Sequence, residues 1–195
     1  MLPQPDHLPI APCLPEYSCQ ERSYLLDAAH HAIRAEARGE AWKPNPLSAH
    51  LAEPRGAFTT LHLEDRLRGC VGFVYPVKSL CMTVMETAVA AAFHDPRFLP
   101  VTEEESLRLA IDISVLSRMF RIAPQEVTVG RHGLLVSRGF QRGLLLPQVA
   151  IEHNWTREMF LDEACLKAGL SPEAWKHGAT VEAFTAEVFG DKDLR

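Results

Sequence analysis

GAFTTLHLEDRLRGCVGFVY, residues 56–75, reads as two strands and the turn between them. In the first half Phe58, Thr60 and His62 alternate with Thr59, Leu61 and Leu63, the two-residue period of a strand. Glu64, Asp65 and Arg66 supply a polar turn. LRGCVGFVY follows as a second strand, interrupted by Gly69 and Gly72, and Pro76 ends it. A hairpin here argues for an antiparallel or mixed sheet and against a doubly wound one.

The segments on either side agree. Downstream, Ser79 is placed to cap a helix whose apolar stripe is Leu80, Val84, Ala88 and Ala91. His94 to Phe98 leave that helix through a proline-enforced turn, and TEEES (102–106) is a short helical turn with its carboxylates at the favourable end. From Leu107 to Leu116, Leu109, Ile111, Ile113 and Val115 alternate with Arg108, Ala110, Asp112 and Ser114, the clearest strand in the chain. Gly133–Val136 and Gly143–Leu146 form a second hairpin, Pro147 opens a helix, and another helix runs from Arg157 to Ala168 and stops at Gly169. Val181 to Phe189 is a closing strand. Upstream, Leu25, Leu26, Ala29, Ile33 and Ala37 mark a helix from Ser23, and residues 42–55 are a proline-punctuated connection. Residues 1–20 are expected to be a Pro-rich, poorly ordered arm, and 21–190 the domain. The fold expected is a single α+β domain, with a mixed, largely antiparallel sheet packed by helices.

Composition narrows the function classes. The chain is 47% hydrophobic and 23% charged, with a formal net charge of −5, so generic nucleic-acid or anionic-membrane binding is disfavoured. No run approaches about 18 apolar residues, so no membrane span is expected. MLPQPDHLPIAP lacks a basic and an apolar region, so no signal peptide is expected. The five cysteines, Cys13, Cys19, Cys70, Cys81 and Cys165, include no CxxC pair, and their odd number fits reduced thiols in a cytoplasm.

Three segments hold more special residues than packing requires. In Arg68-Gly69-Cys70-Val71-Gly72, two glycines in a strand interior imply a bulge or a close backbone approach. Arg68 and Cys70, two apart, would share a face, and a cation beside a thiol favours the nucleophilic thiolate; the competing reading is a buried structural thiol. In His94-Asp95-Pro96-Arg97-Phe98, Arg97 could grip a carboxylate or phosphate, or Asp95 could simply cap its own turn. In Gly130-Arg131-His132-Gly133, His132 could approach a ligand as a general base, or be a backbone-bonded turn residue. Gln148, Glu152 and His153 beyond Pro147 are further polar candidates, but the pair lacks the spacing of a helical zinc site. Nine histidines are scattered along the chain, so neither a metal nor a cofactor is indicated. GxxxxGK[ST], GxGxxG after a strand, GxSxG and HExxH are absent, which counts against nucleotide-dependent enzymes and ordinary serine or zinc hydrolases.

RGAFTTL (55–61), LRGCVG (67–72), HDPRF (94–98), IDISVLS (111–117), GRHGLLV (130–136) and GLLLPQVA (143–150) stand in that order, followed by Trp155, FLDEACLKAGL (160–170) and Trp175. Together they resemble the AMMECR domain family, whose prokaryotic members are called AmmeMemoRadiSam system protein A. The match runs from about Tyr24 to Phe189. The resemblance implies an α+β fold with a larger and a smaller lobe and a cleft between them. It also implies an association with a Memo-like protein, a relative of ring-opening dioxygenases, and a radical-SAM protein. It brings no established reaction. Arg68, Gly69, Cys70 and Gly72 carry over as signature positions, beside Asp95, Arg97, His132, Gly133 and Pro147. Val71 stands where isoleucine is frequent, which changes nothing chemical.

Three functions are ranked. First is a partner-dependent component, whose glycine-rich cleft binds a small ligand or an extended segment of a Memo-like or radical-SAM protein through Arg68, Gly69, Gly72, Asp95, Arg97 and Gly133. Second is an enzyme with Cys70 as nucleophile, steered by Arg68 and His132. Third is nucleic-acid binding, which requires Arg68, Arg97, Arg131 and Arg142 to converge.

Overall fold

Ser18 decides where the first helix begins. Its hydroxyl accepts the Glu21 N–H while the Glu21 carboxylate accepts the Ser18 N–H, a reciprocal cap that starts α1 (Cys19–Ala37). The helix therefore opens six residues before its apolar periodicity, which starts only at Leu25. A computed structural model describes residues 15–193 of the chain. Of the expected N-terminal arm, residues 1–14 lie outside the described residues, while Tyr17 is buried and stacks on the His50 ring at 4.6 Å.

The hairpin forms as read: β1 (Ala57–Leu63) and β2 (Arg66–Phe73) are antiparallel. Glu64 and Asp65 both take positive φ (52° and 61°), the backbone of a two-residue hairpin turn whose twist matches the strands. Ser79 caps α2 (Leu80–Phe93), and Leu80, Val84, Ala88 and Ala91 are buried against the sheet. After the short α3 (Glu103–Ser106), β3 (Ala110–Leu116) pairs with β1 and buries Ile111, Ile113 and Val115.

The second half builds another layer. β4 (Phe120–Arg121), β5 (Gly133–Arg138) and β6 (Gln141–Leu145) are followed by α4 (Pro147–Glu152), α5 (Arg157–Lys167), β7 (Thr180–Phe184) and β8 (Ala186–Gly190). Two four-stranded sheets result, ordered β2-β1-β3-β8 and β4-β7-β5-β6, and every described pairing is antiparallel. The expected closing strand is thus two strands, parted at Thr185, and the chain crosses from one sheet to the other there. Ser117 holds the crossing from both sides: its N–H donates to the Thr185 carbonyl and its hydroxyl accepts the Thr185 N–H, each at 2.9 Å. Helices α1 and α2 cover the first sheet around one apolar core, and α4 and α5 help enclose a second. Among the described residues no helix is long and apolar enough to cross a membrane.

Candidate functional site

The signature residues of β2 meet the HDPRF turn at a sheet edge. β2 has β1 on one side and no strand on the other. From the open side Asp95 Oδ2 accepts the Cys70 N–H at 2.9 Å, and Arg97 Nη2 donates to the Cys70 carbonyl at 3.4 Å. The Asp95 carboxylate is buried and also accepts the Arg97 N–H at 3.1 Å, Nε at 2.9 Å and Nη2 at 2.6 Å. The Arg97 guanidinium foremost, and the Cys70 N–H after it, hold the Asp95 carboxyl well below the usual carboxylate range. Asp95 caps its own turn, and in addition it and Arg97 bind the backbone of a strand 25 residues away in sequence.

Arg68 does not join Cys70. Leu61 pairs with Gly69 and His62 with Leu67, so Arg68 is the extra residue of a β-bulge and the two-residue alternation fails between it and Cys70. Its guanidinium instead reaches Glu105 at 3.0 Å and the carbonyl of Leu99 at 2.8 Å, clamping the segment that leads out of α2. The Cys70 sulfur accepts a hydrogen bond from the Thr60 hydroxyl at 3.3 Å, and no base among the described residues hydrogen-bonds it.

The two glycines do mark close approaches, but the approaching groups belong to this chain. A Cβ on Gly69 would stand 2.1 Å from the Ala91 carbonyl oxygen, so α2 lies directly on the strand. A Cβ on Gly72 would stand 2.1 Å from the ring of its cross-strand partner Phe58. Gly133 repeats this in the second sheet, with the ring of its partner Phe184 at 2.3 Å.

His132 precedes Gly133 in the loop that enters β5 of that second sheet, and its partners are Thr128 and Phe120, not Cys70. Its Nδ1 accepts the Thr128 N–H at 3.1 Å, its own N–H returns to the Thr128 carbonyl at 3.0 Å, and Phe120 packs edge-on at 5.9 Å. Burial, aided by the charge of Arg131, pushes its pKa below 6.5. Arg68 and Arg97, two of the four arginines that nucleic-acid binding would need, are neutralised by Glu105 and Asp95. Among the described residues no cluster of three or more His, Cys, Asp or Glu could hold a metal ion.

Sequence reasoning missed the surface beside this edge. Gly72, Phe73, Tyr75 and Val77 line an open concavity of about 460 Å³ whose far wall is Thr83 and Glu86 of α2. Phe73, Tyr75 and Val77 are 43%, 44% and 80% exposed. The signal was the apolar run Phe73-Val74-Tyr75-Pro76-Val77, which the proline keeps from burying itself as a strand. Lys78 on the same wall is neutralised by Glu86 at 2.6 Å. From the second sheet Arg142 reaches the Tyr75 hydroxyl at 3.1 Å, with its guanidinium 5.9 Å from the ring centre.

A family model described as AMMECR1 matches residues 26–189. Protein Mbar_A1807 of Methanosarcina barkeri is 42% identical over 153 residues, covering 75% of this chain and 76% of its own. Protein MK0488 of Methanopyrus kandleri is 38% identical over 186 residues, 89% of this chain and 90% of its own. The crystal structure of the uncharacterized protein PH0010 from Pyrococcus horikoshii superimposes with a TM-score of 0.75 at 38% identity, covering 87% of this chain and 90% of that one.

Proposed function

The chain belongs to the AMMECR1 family, and from that premise we propose that it is a partner-dependent binding component, acting with Memo-like and radical-SAM proteins through the concavity beside Gly72. One contrast carries the reading. Asp95, Arg97, Arg68 and His132 are committed to this chain's own carboxylates and backbone, whereas Phe73, Tyr75 and Val77 stay open around a hollow. Clustered apolar surface beside engaged polar groups suits recognition, and it offers no paired acid and base for chemistry. A reducing cytoplasm fits the same picture, since the four described cysteines are all free thiols.

Co-expression with the Memo-like and radical-SAM proteins of the same genome tests it. A complex with one of them is expected to co-elute from a sizing column. Val77→Asp, at an exposed position, should dissolve that complex and leave the melting temperature of the isolated chain unchanged. A complex indifferent to Val77→Asp, or no complex with either protein, overturns the proposal.

A further inference from the structure

The concavity adjoins main chain as well as side chains. In an antiparallel pair, residues two apart direct their N–H and C=O groups to the same edge. The Cys70 N–H and C=O point away from β1, because Asp95 and Arg97 take them. The register Thr60–Cys70, Thr59–Val71, Phe58–Gly72 runs unbroken from there. The Gly72 N–H and C=O therefore point off the same edge, and no group among the described residues bonds either. Asp95 and Arg97 imitate one residue of a neighbouring strand and close the edge at Cys70, while the next outward-facing residue stays open against the groove.

Charge is unbalanced in the same place. Lys78 is paired with Glu86, but Arg142 at the Tyr75 hydroxyl forms no ion pair among the described residues. The groove thus combines an unmatched backbone donor and acceptor, an apolar hollow and one uncompensated cation.

Building on the docking reading above, we propose that a partner segment binds here by β-strand addition. One residue of an extended segment exchanges both backbone hydrogen bonds with Gly72, a neighbouring apolar side chain enters the hollow, and a nearby carboxylate meets Arg142. The Asp95–Arg97 fork stops the added strand at Cys70 and so sets its register. The partner chemistry is an apolar residue flanked by Asp or Glu in an extended stretch.

The experiment uses phage-displayed random dodecapeptides selected on the full chain, with Val77→Asp as counter-selection, and then synthetic peptides of the selected sequence measured by fluorescence polarisation. Gly72 is left unaltered, because any Cβ there meets the Phe58 ring; the backbone change is made in the peptide instead. N-methylation at a single peptide position should weaken binding about tenfold or more, while methylation of its immediate neighbours has little effect, because alternate amides face away from the ladder. Arg142→Ala should weaken binding about tenfold and flatten the preference for acidic residues. Hydrogen exchange at the Gly72 amide should slow in the complex. Peptides that need Val77 yet tolerate N-methylation everywhere overturn strand addition and leave docking intact. Selection that yields no Val77-dependent peptide overturns both.

Discussion

The Asp95 carboxylate accepts the Cys70 backbone N–H at 2.9 Å across the free edge of the first sheet. Side chains seldom stand in for a whole strand residue, but here Arg97 completes the mimicry by donating to the Cys70 carbonyl. The carboxylate is buried and takes three further bonds from Arg97, while the Arg97 side chain is 54% exposed. Water can replace what Arg97 provides more readily than what Asp95 provides.

Asp95→Ala should therefore lower the urea midpoint more than Arg97→Ala, and it should open β2 to edge pairing, seen as concentration-dependent scattering. Asp95→Asn should fall between wild type and Asp95→Ala, since it keeps an acceptor for Cys70 and loses the charge. Equal midpoints for Asp95→Ala and Arg97→Ala would remove the edge-capping role.

Gly69→Ala is expected to destabilise the domain by about 2–3 kcal/mol in denaturant titrations, the cost of overpacking. The added methyl would meet the Ala91 carbonyl at 2.1 Å, and main chain of α2 cannot swing aside as a side chain can. Gly139→Ala is the control. Gly139 has φ +60° and nothing within 4 Å, so only the backbone strain of about 1 kcal/mol applies.

Those glycines show what the sequence could and could not convey. A glycine in a strand interior signals that something comes close, and that inference holds at Gly69 and Gly72; Gly133, at the start of β5, is as closely approached. What comes close is set by tertiary packing, and in all three cases it is this chain: α2, Phe58 and Phe184. Alternation along residues 109–115 and the stripe of α2 were legible because each pattern is repeated locally and each buries one face. The shared face of Arg68 and Cys70 was not, because a bulge of one residue breaks the period without altering composition. The crossing at Thr185 was equally silent: Val181, Ala183 and Phe189 are all buried apolar residues, though they serve two different sheets. The open groove arises from apposing residues 72–77 with Thr83 and Glu86 of the next helix.

Acid should weaken the start of α1 in a defined window. Burial pushes Glu21 up, but the Ser48 hydroxyl, the Ser18 N–H and the Ser18 hydroxyl outweigh it and bring its pKa from 4.5 to about 2. A depressed carboxylate binds its proton more readily in the unfolded chain, so its contribution is complete above pH 4.5 and disappears as pH falls towards 2. Urea midpoints measured across this range should drop, by an amount on the order of 2 kcal/mol after solvent screening. Glu21→Gln should flatten that limb, and an unchanged limb would show that other carboxylates govern it.

His132 and Cys70 can be separated by one pair of measurements. Burial foremost, and Arg131 next, lower the His132 pKa below 6.5, and Nδ1 accepts the Thr128 N–H, so the neutral ring carries its proton on Nε2. The sign follows: the unfolded chain takes up the proton first, so stability falls as pH drops below 6.5 towards the folded-state value. His132→Ala strands the Thr128 N–H and should cost about 1–3 kcal/mol, the usual penalty for an unmatched buried donor. Its effect on the thiol should be nil. Iodoacetamide followed by mass spectrometry should label exposed Cys19 readily and half-buried Cys70 more slowly, and it should spare Cys81 and Cys165, which are buried and whose pKa values burial raises. The Cys70 rate should be the same in wild type and His132→Ala, because the ring is held by Thr128 in the loop before β5 and the sulfur's hydrogen-bond partner is Thr60. A Cys70 rate that falls severalfold in His132→Ala would instead tie the two residues into one nucleophilic site and revive an enzymatic role.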